Sequence, residues 1–153
     1  MRHCVTGKDI ATVRKWGWRI GEVPFEHRTP GYCLAAVQEL GRSLVYVPHK
    51  YRTKEICLAA VEQDSVAIYV VPAEFQTPEL CMTAVRRNRS NLIGLPPEVK
   101  TLPFCLEVVQ HNGWALEYIP IKHRTPEVCL AAISQNPNAV RFSPYSILEL
   151  MSM

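Results

Sequence analysis

Apolar positions along this chain recur on a beat of 24 residues. Within each beat they fall into two blocks separated by polar punctuation. The first block carries cysteine at 33, 57, 81, 105 and 129, with small or branched apolar residues three and four positions later. Cys33, Ala36 and Val37, then Cys57, Ala60 and Val61, then Cys129, Ala132 and Ile133 occupy the same columns. Spacing of i, i+3 and i+4 is one face of an α-helix. The second block is a run of about four residues, such as Leu44-Val45-Tyr46-Val47 or Leu116-Glu117-Tyr118-Ile119. Apolar columns three apart suit a single helical or 3-10 turn, while the valine and tyrosine content also suits a short strand. Proline at 48, 72, 96, 120 and 144 closes each run, and Glu117 and Arg141 interrupt a clean strand alternation, so the helical turn is favoured.

The punctuation supplies mechanisms for where the helices begin and end. Threonine stands at 29, 53, 77, 101 and 125, followed by proline at 30, 78 and 126 and by Glu79 and Glu127. Threonine accepts from free N–H groups, proline suits the first helical position, and glutamate complements the positive end of the helix. The main helices are predicted to start just after these threonines. They are predicted to stop at Leu40-Gly41, Asp64-Ser65, Asn88-Arg89, Asn112-Gly113 and Asn136-Pro137, which read as C-terminal stop signals.

A fixed period of this length marks a solenoid in which each unit buries its apolar face on its neighbours. The expectation is one all-α repeat domain over 1–153. Residues 1–23 form a degenerate capping unit, five units run 24–47, 48–71, 72–95, 96–119 and 120–143, and 144–153 is a closing stub. Ile10-Ala11-Thr12-Val13 and Gly17 align with Leu34–Val37 and Gly41, with Asp9 in the cysteine column.

The unit T-P-E-x-C-L-A-A-V…N-G-x-A-L-x-Y-V/I-P resembles a family of tandem helical repeats catalogued only as of unknown function. Its plan of one α-helix and one tight helical turn per 24 residues is also similar to the leucine-rich variant repeat. That resemblance implies a short right-handed α-solenoid of alternating α- and 3-10 helices. It covers 24–143 well and 9–23 weakly, and brings no catalytic motif. The iron–sulfur module of some leucine-rich variant proteins needs clustered cysteines, whereas Cys4 stands alone.

Composition narrows the classes further. Hydrophobic residues make up 48% and charged residues 20% of the 153 residues, so wholesale disorder is excluded. The net charge of +3 permits an anionic partner without demanding one. No apolar run is long enough for a membrane span. The start Met1-Arg2-His3-Cys4 lacks the apolar core of a signal peptide, so a cytoplasmic protein is expected. Stacked helices hold equivalent cysteines about 8–10 Å apart, beyond the ~7 Å reach of a disulfide. Buried, reduced thiols are therefore expected. No Cys or His pair has metal-ligand spacing, and no cofactor is expected.

Four features remain as candidate chemistry. A basic column of Arg28, Arg52, Lys100 and Arg124, broken by Gln76, either bonds carbonyls of neighbouring units or tracks a phosphodiester backbone. The structural role is favoured. Arg86, Arg87 and Arg89 with Asn91 depart from the repeat and form a cationic site for an acidic surface or phosphate, or else a solvated helix end. Trp18 and Trp114 share a column, and with Trp16 they are either binding anchors or caps over the core. His27 and His123 share a column with Tyr51, Phe75 and Val99, which reads as a half-buried aromatic slot and not a general base. With no nucleophile–base pair in sight, the expected function is a non-enzymatic binding module. It is read as a protein–protein adaptor, with nucleic-acid or phosphate binding as the alternative.

Overall fold

The computed structural model describes Lys15 and residues 17–152. Cys4, the Ile10–Val13 stretch of the degenerate unit and Trp16 lie outside the described residues. The helices are α1 (Pro30–Glu39), α2 (Lys54–Gln63), α3 (Pro78–Arg87), α4 (Leu102–His111), α5 (Pro126–Gln135) and the short α6 (Ile147–Ser152). A six-residue 3-10 segment precedes α1 at Gly17–Glu22 and follows each of α1–α5, at Gly41–Tyr46, Ser65–Val70, Arg89–Gly94, Gly113–Tyr118 and Pro137–Phe142. The architecture is all-α, a repeat of α-helix and 3-10 segment stacked on its neighbours as in an α-solenoid. The chain forms two compact units, Met1–Leu80 and Cys81–Met153.

Each main helix begins one residue after its threonine. The Oγ1 atoms of Thr29, Thr53, Thr77, Thr101 and Thr125 accept from Tyr32, Ile56, Leu80, Phe104 and Val128 N, all at 3.4 Å. The ambiguous second half of each repeat is 3-10 helix. Its three-residue turn buries the columns Leu44 with Val47 and Ile68 with Val71 in the first unit, and Leu92 with Leu95 and Leu116 with Ile119 in the second. A further one-turn 3-10 segment follows the closing proline at Phe25–His27, His49–Tyr51, Ala73–Phe75 and Ile121–His123. Fixed φ makes proline a natural lead into such a turn. After Pro96 a second proline, Pro97, leaves only a turn.

The helix stops work differently from the sequence expectation. A glycine or asparagine stop usually signals a left-handed residue, yet among the described residues none has positive φ. Leu40, Asp64, Asn88, Asn112 and Asn136 are extended, with φ between −138° and −150°. Asp64, Asn88, Asn112 and Asn136 instead cap the following 3-10 segment, accepting from the N–H two residues on at 3.0–3.1 Å.

Glycine follows the stop for a packing reason. A Cβ on Gly41 would lie 2.2 Å from the carbonyl oxygen of Ala60 in the next helix, and one on Gly113 would lie 2.3 Å from that of Ala132. The next unit clamps the same turn through its glutamine. Gln63 Oε1 accepts from Gly41 N at 2.5 Å while its Nε2 donates to Glu39 O at 3.0 Å. Gln135 Oε1 accepts from Gly113 N at 2.6 Å.

Candidate interaction surface

The basic column is turned onto the backbone. Arg28 donates to the carbonyls of Val23, Tyr46 and Gly21, and Arg52 to those of Val47, Val70 and Val45. In the second unit Arg124 repeats the arrangement with Ile119, Phe142 and Glu117 at 2.7–3.1 Å. Each guanidinium thus ties the last carbonyls of one 3-10 segment to the end of the next. The planar fork of arginine fits this geometry and a lysine does not. Lys100 accordingly reaches only Ile93 O, at 3.2 Å. Burial beside that carbonyl lowers the Lys100 pKa. Gln76 donates to Ile68 O and Val71 O.

The arginine cluster is divided by the fold. Arg86 and Arg87 are exposed at the C-terminal end of α3. Arg86 Nη2 is engaged by Glu107 Oε1 of the following helix at 2.9 Å, both side chains being about half exposed. Arg89 is half-buried, with its Nε out of solvent and without a hydrogen-bond partner. Asn91 corrects the sequence expectation. It is buried in the column that holds Ser43, Ala67, Ala115 and Ala139 in the other segments following a main helix, and it donates from Nδ2 to Ala84 O at 3.0 Å. Its amide thus caps a helix carbonyl within the core and is not part of an exposed site.

Trp18 is half exposed, with the Arg19 guanidinium 5.9 Å from its ring centroid. Trp114 is half-buried and meets Phe142 of the next 3-10 segment edge-on, with centroids 5.8 Å apart. In the His27 column, His27 is exposed, Tyr51, Phe75 and His123 are half-buried, and Val99 is buried.

The registered cysteines Cys33, Cys57, Cys81, Cys105 and Cys129 are free and buried. Burial pushes the thiols of Cys33, Cys57 and Cys105 up to about 11 against a partial opposing pull from the basic column, and raises Cys129 as well. Such thiols are poor nucleophiles at neutral pH. The Cys33 and Cys129 Sγ atoms face the carbonyls of Arg28 and Arg124 at 4.0 and 3.6 Å. Among the described residues no group of three His, Cys, Asp or Glu side chains could hold a metal ion, and no helix is long and apolar enough to cross a membrane.

One surface escaped the sequence reading. On the 3-10 segments of the first unit, Val45, Tyr46 and Tyr69 stand 51%, 45% and 48% exposed. The signal was present in the runs themselves. A 3-10 turn buries its first and fourth residues, so the two apolar residues between them in Leu44-Val45-Tyr46-Val47 must face outward. In the second unit the Val45 column holds Ile93, 68% exposed, and then the charged Glu117 and Arg141.

The model of a domain of unknown function, DUF4116, matches residues 103–148. That stretch runs from the first turn of α4 to the start of α6, close to two repeat units. No curated protein and no solved structure matches the chain.

Proposed function

We propose that this chain is a protein-binding repeat module whose contact surface is the outer ridge of its 3-10 segments. The observation that carries the reading is the exposure of Val45, Tyr46 and Tyr69 on consecutive segments. Contiguous exposed apolar residues mark interaction sites, and tyrosine is enriched at binding hot spots. The buried, free thiol column suits the reducing cytoplasm.

A nucleic-acid or phosphate ligand is the second reading, and Arg87 favours it. Among the described residues no hydrogen bond or ion pair engages this exposed side chain. The basic column supports it less, because its guanidinium donors are already bonded to carbonyls.

A photo-crosslinking residue placed at Tyr69 in cells of the source organism tests the choice, alongside fluorescence anisotropy with labelled single-stranded RNA and DNA. Discrete protein adducts that disappear when Val45→Ser and Tyr46→Ser are added support the first reading. Adducts indifferent to those changes, together with nucleic-acid binding that Arg87→Gln abolishes, overturn it.

A further inference from the structure

Within each of the two compact units, two devices recur between successive repeats, one at each edge. At one edge a glycine lets the next helix approach, clamped by a glutamine at Gly41–Gln63 and Gly113–Gln135. At the other, an arginine ties consecutive 3-10 segments, as Arg28 and Arg52 do in the first unit and Arg124 does in the second.

The step from the Arg89–Gly94 segment to α4 and the Gly113–Tyr118 segment has neither. Arg89 stands in the glycine column and His111 in the glutamine column. Among the described residues no hydrogen bond joins them. A Cβ cannot sit 2.2–2.3 Å from a carbonyl oxygen as it would at Gly41 or Gly113. The backbone at Arg89 is therefore held farther from α4, and its buried Nε lacks a partner. At the opposite edge Lys100 replaces arginine and reaches Ile93 O alone. One side-chain tie across the step is the exposed Arg86–Glu107 pair, a class of interaction that contributes little. Two consecutive prolines, Pro96 and Pro97, replace the usual 3-10 turn in the connection.

We propose that this step is a joint, the place at which the unit Cys81–Met153 opens first. Four departures from the repeat converge on it from both edges: Arg89, whose Nε has no partner, His111, Lys100 and Pro97. None of them is required by the apolar core, which continues through Leu92, Leu95, Leu116 and Ile119.

Hydrogen–deuterium exchange on the full chain, read by mass spectrometry and corrected for intrinsic rates, tests the joint. Amides bonded within Arg89–Gly94 are expected to exchange about tenfold faster than those within Gly113–Tyr118, the ratio that loss of one or two net hydrogen bonds produces. The repair variant Arg89→Gly, Lys100→Arg, His111→Gln restores both devices and is expected to bring the two segments within about threefold of each other. Should that triple variant fold poorly, Lys100→Arg alone is expected to remove part of the difference. Equal protection of the two segments in the unaltered chain, or a difference unchanged by every repair, overturns the proposal.

Discussion

Replacing Gly41 by alanine tests the packing of one repeat on the next through a single methyl group. Alanine in place of glycine ordinarily stabilises an unstrained site by about 0.4–1 kcal/mol, because the unfolded chain loses freedom. No described glycine has positive φ, so the backbone at Gly41 accepts alanine without strain. The new Cβ, however, would lie 2.2 Å from Ala60 O, 2.8 Å from Asp64 N and 3.0 Å from Asp64 Cβ. Relieving the carbonyl contact moves α2 outward by about 1 Å and stretches the Gln63 clamp on Gly41 N. Overpacking of this kind costs about 1–3 kcal/mol, and a weakened hydrogen bond adds about 1 kcal/mol. Subtracting the entropic gain leaves a net loss of about 1–3 kcal/mol. Gly31 is the internal control. It lies in α1 with nothing within 4 Å of its missing Cβ, so Gly31→Ala is expected to stabilise by about 0.5–1 kcal/mol. Urea unfolding followed by circular dichroism reads both signs. If Gly41→Ala is neutral or stabilising while Gly31→Ala behaves as expected, the close approach of α2 is not what selects glycine here.

Three other substitutions or conditions probe separate parts of the argument. Arg124→Lys is expected to cost about 2–4 kcal/mol in the same assay, since lysine keeps one of three charged hydrogen bonds to carbonyls; a loss below about 0.5 kcal/mol, the range of ordinary surface changes, would refute the tie. Ser43→Ala is expected to stabilise by about 1 kcal/mol, because the fully buried Ser43 hydroxyl has no partner and equivalent positions hold Ala67 and Ala115; destabilisation would reveal a hydrogen bond for that oxygen. Stability is expected to fall as pH rises from about 9 toward 11. The unfolded thiols ionise first, near 9.0, while Cys33, Cys57 and Cys105 hold their protons to about 11 in the fold, so the native state binds more protons across that window. Native thiol labelling of these positions should be slow below pH 9 and fast in denaturant, and rapid labelling at neutral pH would contradict their burial.

Much of the fold was legible because its determinants are local. Threonine before proline or an acid specifies a helix start whatever lies beyond, and the Cys–Ala–Val spacing specifies which face is buried. The interval of three between Leu44 and Val47 suited a helical turn or a short strand, and Glu117 and Arg141, which interrupt a strand alternation, favoured the turn. The candidate site was legible only in part. Arg86 and Arg87 read correctly as exposed because they end a helix on its polar side. Asn91 and Arg89 did not, because their environment is set by residues distant in sequence: an amide in an alanine column is buried only when its Nδ2 has Ala84 O to meet.

The sequence by itself determined the period, the helix starts, the apolar columns and the surplus of apolar residues in the 3-10 runs. The period is read from identical residues 24 apart, and each of the others depends on residues within one or two turns of one another. Only the tertiary structure decided what the glycines, glutamines and arginines do. Gly41 is required by a carbonyl 19 residues on, Gln63 by an N–H 22 residues back, and Arg52 by carbonyls on two separate 3-10 segments. A stop signal and a close approach look alike along the chain. They differ physically, because the first is a torsional preference of one residue and the second is the excluded volume of its neighbour.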